Sequence, residues 1–425
     1  MDPILYRAAM NCDIDVLEQN KDQVDVQVTP NNNTVLHVAA QFHNNSACII
    51  AKQPSLLGRV NSRGETPLLI AAGRELGKYN NSTCVHVKEI LAVQPSLLCR
   101  VNSKGETPLH IAAREGHTDV AQSLIEYAKA AQGREEELES VVVMAKEMLR
   151  MRNKDGDTAL HEAVRNNHLD VVKLLTQEDP EFSHPTNNAE ESPLYLAVER
   201  RYCDFMSQIL RTCTSPNLDY SGPDGRTALH AAAIKSCQGC RKILYDWRPP
   251  LTKEADKNGW TPLHYAALSG NVLSVRQLLD LDKSVAYLIA EEDERKCTAL
   301  HIATNQGHVD VMKELLTHCP DCWEMINGTG QNILHIAVES EEKKAIKFIL
   351  GNSWHIGLIN QKDASGNTPL HLFATSNNDY MPELVDHTRV DKNAFNKENL
   401  TPLDVAVYSD TYTTRGVRML TLTSI

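Results

Sequence analysis

The stretch Thr107-Pro108-Leu109-His110-Ile111-Ala112-Ala113 decides the reading of this chain, because it recurs. It returns as Thr261-Pro262-Leu263-His264-Tyr265-Ala266-Ala267 and, shortened, as Thr368-Pro369-Leu370-His371. Looser copies start at Thr34, Thr66, Thr158, Ser192, Thr227, Thr298, Asn332 and Thr401, eleven in all, and Pro3-Ile4-Leu5-Tyr6-Arg7-Ala8-Ala9 is a worn twelfth. Three start-to-start gaps, 158 to 192, 227 to 261 and 298 to 332, are each 34 residues. A fixed period of this size means stacked supersecondary units.

The motif is a helix start. Thr is suited to the N-cap, where its hydroxyl accepts from a free N–H of the first turn. Pro follows where its missing N–H is harmless and its φ already helical. Leu109 and Ala112 face one side, and the paired alanines let a second helix lie close. That second helix is read from His117-Thr118-Asp119-Val120-Ala121-Gln122-Ser123-Leu124-Ile125 and from His308 to Leu316, whose aliphatics recur at three or four residues. One such pair cannot bury its stripe alone, so each must stack on neighbours. Polar turn segments precede most motifs: Asn102-Ser103-Lys104-Gly105, Lys154-Asp155-Gly156, Lys257-Asn258-Gly259 and Ala364-Ser365-Gly366. Glycine there supplies a φ that other residues resist.

Thr-Pro-Leu-His-x-Ala at this period resembles the ankyrin repeat over nearly the whole chain. The resemblance implies an all-α repeat solenoid of about 11–12 helix-turn-helix units with projecting β-hairpin tips. Residues 1–33 read as an N-terminal capping-like unit, 34–410 as the repeat array, and 411–425 as a frayed tail. Longer gaps place insertions near 73–84, as a surface loop around Lys78-Tyr79-Asn80-Asn81-Ser82, and near 128–150. In the latter the part up to Ser140 is charged, and Val141 to Leu149 reads as a helix beside the repeat.

Composition narrows the function. Against 43 basic residues stand 55 acidic ones, net −12, a balance that repels phosphate backbones and disfavours nucleic-acid binding. Eleven cysteines, an odd number scattered over different repeats, argue against a disulfide framework and for a reducing compartment. The N-terminus shows no secretory signal, and no apolar run approaches the roughly 20 residues that span a bilayer.

A narrower resemblance rests on Lys146-Glu147-Met148-Leu149-Arg150-Met151, Thr158 to His168, Val171-Val172-Lys173-Leu174-Leu175, Ser192 to Ala197, Asn258 to His264 and Gln331 to Ala337. These stretches look like the plant accelerated cell death 6 group of ankyrin proteins. That resemblance implies a regulator in plant defence, salicylic-acid signalling and control of cell death. Members carry a C-terminal membrane domain that this chain lacks. The expected partners are therefore other proteins, including full-length membrane-anchored relatives, and the expected place is the cytoplasm at the cytosolic face of the plasma membrane.

No Gly-rich phosphate loop, nucleophile elbow or carboxylate pair stands out, so neither enzyme activity nor a cofactor or metal is expected. Eight of 17 histidines share one slot: His37, His110, His161, His230, His264, His301, His335 and His371. By resemblance they hydrogen-bond within and between repeats. Cys237-x-x-Cys240 and Cys319-x-x-Cys322 have zinc-ligand spacing but lie far apart, and Cys240 sits where other repeats place a core aliphatic. The remaining candidates are the residues left free to vary on a concave surface of tips and first-helix ends. Ser103, Lys104, Glu106, Arg114 and Glu115 belong to one unit, and Lys154, Asp155, Asp157, Arg165 and Asn166 to another. Arg226, Lys257, Asn258, Trp260 and Leu268 lie further on. Two readings stand for Trp260: a contact anchor for a partner, or packing against the neighbouring tip.

Overall fold

A computed structural model describes residues 1–42, 53–74, 81–131, 145–291, 295–376 and 381–408. It falls into two compact units, Met1–Pro223 and Asp224–Ile425. Each motif of the sequence is an inner helix. In the first unit these are Pro3–Asn11, Val35–Phe42, Pro67–Ala72, Pro108–Glu115, Ala159–Arg165 and Pro193–Glu199. In the second they are Ala228–Ile234, Pro262–Leu268, Ala299–Asn305, Ile333–Glu339, Pro369–Thr375 and Pro402–Tyr408. Outer helices such as Thr118–Ala131, Leu169–Glu178, Gln238–Trp247 and Val309–His318 pack behind them.

The inner helices begin where the motif says they should. Thr66, Thr107 and Thr298 are extended N-cap residues whose hydroxyls accept from the N–H three residues on. Asp2 and Asp13 do the same service in the first, worn unit. The motif leucines form a continuous inner row: Leu36, Leu68, Leu109, Leu160 and Leu194 in one unit, and Leu229, Leu263, Leu300, Leu334 and Leu370 in the other, all buried. Each stabilises its stack by about 1.5–3 kcal/mol. Behind them, pairs such as Ala71–Ala72, Ala112–Ala113 and Ala266–Ala267 are also buried, as the close approach of the outer helix requires.

The tips differ from the expectation. Among the described residues they form no β-strand. Eight of them are instead five-residue turns pinned by their first side chain. Asn102 Oδ1 accepts from the N–H groups of Lys104 and Glu106, and the main chain closes with Asn102 N–H to Glu106 O at 3.1 Å. The same turn recurs from Asn61, Asn153, Asn187, Asp256, Asn327, Asp363 and Asn396. Gly105 and Gly156 occupy the left-handed positions, φ 76° and 78°. One backbone bond links each tip to the next: Ser103 N–H to Arg63 O, Lys154 N–H to Lys104 O, and Ala364 N–H to Thr329 O. A self-contained Asx turn satisfies the backbone that a strand ladder would otherwise serve.

Of the loop expected around Lys78 to Ser82, residues 78–80 lie outside the described residues, while Asn81 and Ser82 already belong to the outer helix Asn81–Val93. Residues 132–144 also lie outside them. Residues 145–150 are helical, and Ala145, Met148 and Leu149 are buried in the way the expected accessory helix requires. The tail 411–425 lies outside the described residues. No described helix is long and apolar enough to cross a membrane.

Candidate protein-interaction surface

The recurrent histidine is the strut of each repeat. In Thr107–His110 the ring Nδ1 accepts from the Thr107 backbone N–H at 3.3 Å and lies 2.7 Å from its hydroxyl. Because Nδ1 accepts from an N–H, the proton sits on Nε2. That Nε2 donates to the last tip carbonyl of the following repeat, Asp157 O, at 3.0 Å. The same donation runs from His37 to Glu65, His161 to Glu191, His230 to Trp260, His335 to Asn367 and His371 to Leu400. A second set points backward: His117 Nδ1 bonds Ala72 O, His168 Nε2 bonds Arg114 O, and His308 Nε2 bonds Leu268 O. Burial pushes the first set below the usual histidine range, to about 4 for His161, His230 and His301. Rings that are neutral and engaged at both nitrogens, such as His110, His161 and His230, have no lone pair left for a metal.

Against this frame the expected contact residues separate into three groups. Ser103, Lys104, Glu115, Lys154, Asp155, Asn166, Lys257, Asn258 and Leu268 are exposed. Arg114, Arg165, Arg226 and Trp260 are half-buried. Glu106 and Asp157 are buried, at 4% and 3% exposure, and are not free for a partner. Each is braced to an inner-helix end eight residues on. Arg114 pairs with Glu106, and Arg165 grips both oxygens of Asp157 at 2.5 and 3.0 Å. Burial alone would raise the Asp157 carboxyl, but Arg165 and the Asn187 amide outweigh it and hold it below the usual range. The brace places tips and inner-helix ends on one face. Asn187 was not legible as part of it, although the recurring acid-to-arginine spacing was a usable signal.

In the Thr261 repeat of the second unit the same two slots turn apolar. Trp260 stands where Glu106 does, and Leu268 where Arg114 does. Trp260 packs on Tyr265 of its own inner helix, ring centroids 5.2 Å apart. Tyr265 donates to Asp256 at 2.6 Å and lies under Arg226, whose guanidinium is 5.2 Å from the ring. Trp260, Leu268, Ile302 and Ile336 then line a cavity of about 130 Å³. In the first unit the corresponding cleft, about 650 Å³, is polar and lined by Arg63, Arg74, Arg114 and Glu65 among others.

Cys237 and Cys240 are joined as a disulfide, a correction to the expectation of unbridged thiols. The physical reason is local. Residues three apart at the start of helix Gln238–Trp247 bring their Cα atoms to 5.3 Å, within bridging range. Cys319 and Cys322, with the same spacing, lie just past the end of helix Val309–His318 and stay free and buried.

A stack of helix pairs with Asx-turn tips defines a repeat binding module. The family model described as ankyrin repeats (3 copies) matches residues 55–135, 78–185, 128–218, 194–286 and 281–360. The chain belongs to the ankyrin-repeat family, whose repeats generally serve as protein-interaction surfaces. It is 24% identical over 295 residues to the transient receptor potential cation channel subfamily A member 1 of Drosophila melanogaster, covering 59% of this chain and 24% of the channel. It is 26% identical to the poly [ADP-ribose] polymerase tankyrase of Caenorhabditis elegans, covering 56% of this chain and 10% of that protein. With inversin of Canis lupus familiaris the identity is 29%, over 41% and 16%. The chain thus spans no more than a quarter of these three relatives. Among solved structures it is similar to the ankyrin repeat domain of Bcl-3, at TM-score 0.47 and 24% identity, over 58% of this chain and 99% of that one.

Proposed function

We propose that this chain is a non-catalytic scaffold that holds another protein on the tip face, and that it acts as a regulator in plant defence and salicylic-acid-linked cell-death signalling. The observation carrying the scaffold reading is the division of labour on that face. In the first unit Glu106, Asp157, Arg114 and Arg165 are spent on bracing while Lys104, Lys154 and Asp155 project from the turns, and in the second unit Lys257 and Asn258 project while Trp260 and Leu268 offer an apolar step. Rigid tips with variable side chains bind without ordering cost. The signalling role is supported by the plant-group stretches quoted above, Thr158 to His168 and Asn258 to His264 foremost.

A second reading is that the chain works as the cytosolic part, or as the partner, of a membrane-anchored ankyrin regulator or channel-like protein. The similarity to a cation channel favours it. Proximity labelling in plant cells tests both, with the wild-type chain beside W260A/L268A and K104A/K154A variants. Loss of one labelled set in the variants supports the scaffold. A labelled set that no tip variant changes removes the reading, and a set dominated by membrane proteins selects the second.

A further inference from the structure

Three departures from the repeat pattern meet at one helix start. Where three other repeats place His117, His168 and His308, this one has Cys237. Where they place Val120, Val171 and Val311, it has Cys240. Where they place Ala121, Val172 and Met312, it has Arg241. Local rules broken together mark functional positions more often than chance decay.

The three residues share the first turn of helix Gln238–Trp247. Cys237 is its N-cap residue, and the Arg241 N–H donates to Cys237 O at 3.2 Å. Arg241 is only 1% exposed, yet its guanidinium donates to neutral groups: Nε to Gln277 Oε1 at 2.8 Å and Nη1 to Ala232 O at 3.0 Å. No carboxylate pairs with it among the described residues, and burial draws its pKa down to about 10. A buried cation without an anion is unfavourable unless an anion forms there in another state. A thiolate at the helix start, where backbone N–H groups also favour negative charge, is such an anion.

We infer that Cys237 and Cys240 are a redox-active pair, opened and closed by thiol–disulfide exchange with a small thiol of the glutathione class, with Arg241 as the positioning residue that favours the open form. In the exchange one external thiolate attacks one protein sulfur, which breaks the Cys237–Cys240 bond, forms a mixed disulfide and releases the other protein sulfur as a thiolate. A second external thiolate attacks the external sulfur of that mixed disulfide, so that the first protein sulfur leaves and the external disulfide forms. Two electrons pass to the protein sulfurs, which leave as thiols after taking up two protons. The bond closes a loop of only a few residues, where the entropic stabilisation of a disulfide is least, so it is poorly suited to a staple. Cys319–Cys322 provides the contrast. Cys319 and Cys322 are as buried as Cys237 and Cys240 and share their spacing, yet no disulfide joins them.

The full chain, equilibrated in glutathione buffers of graded ratio and trapped with a maleimide, is read by mass spectrometry. Cys237 and Cys240 become labelled together, with one midpoint inside the buffer series, while Cys319 and Cys322 behave as independent thiols. Replacing the charge in R241Q shifts the midpoint so that the oxidised-to-reduced ratio rises roughly tenfold at fixed buffer, equivalent to about 30 mV, and R241K restores it. Labelling of both cysteines in every buffer, or in none, overturns the inference from the wild-type chain alone. A midpoint indifferent to R241Q in a folded variant overturns the role of Arg241.

Discussion

Acidifying the protein from pH 7 to pH 5 should weaken the second unit through its buried histidines. His230 and His301 each have a pKa of about 4, set first by desolvation and opposed in part by backbone hydrogen bonds. In the unfolded chain each returns to about 6.5. The folded pKa is depressed, so the unfolded state binds more protons. Stability is full above about pH 6.5, falls as the pH drops toward 4, and is flat below. Between pH 7 and 5 each ring loses about 1.8 kcal/mol, and the two together about 3.5 kcal/mol. That is a large share of the ~5–15 kcal/mol typical of a folded domain. His335 and His371, also lowered by burial, add to the slope. In the first unit Glu162 works the other way, since burial raises its carboxyl. Urea unfolding followed by circular dichroism at pH 7, 6 and 5 reads the slope. The Thr66 repeat shows the control, because Leu69 fills its histidine slot and still donates its N–H to Thr66. H301L should remove about half of the two-ring pH dependence. A flat stability profile from pH 7 to 5, or a His230 ring resonance titrating near 6.5, refutes the reasoning.

R165M strips the partner from buried Asp157 and should destabilise the chain by about 2–3 kcal/mol at pH 7, less below pH 4 as the carboxyl protonates; an unchanged denaturation midpoint counts against the brace. In G116A the new Cβ meets the His168 ring at 2.3 Å at a residue held at φ 78°, so the melting temperature should fall and the His168–Arg114 bond should break. T107V keeps the shape but removes the hydroxyl that serves His110 and the helix start. The expected loss is about 1 kcal/mol, measured by urea titration. W260A/L268A should leave the fold intact by circular dichroism while lowering capture of a partner in a pull-down; equal capture speaks against the apolar step.

The repeat, the helix starts and the tip glycines were all readable from residues alone, because each depends on neighbours within a few positions. Thr-Pro writes a cap and a first turn, and Leu and Ala at fixed offsets write the buried stripe. The burial of Glu106 and Asp157 was not readable. Their free-looking position just before the motif does not show that the arginine eight residues on folds back over them. The absence of strands was likewise hidden. It follows from Asn102 and its equivalents, whose side chains close the tip on itself.

By itself the sequence determined that this chain is an array of capped helix pairs, since a period, a cap and an apolar stripe are local properties. Tertiary structure decided which polar groups were already spoken for. His110 finds its carbonyl at Asp157, 47 residues away, and His168 finds Arg114 O, 54 residues away. Such pairings depend on distance in space, and a residue's type fixes only what it is able to bond, not what stands opposite it.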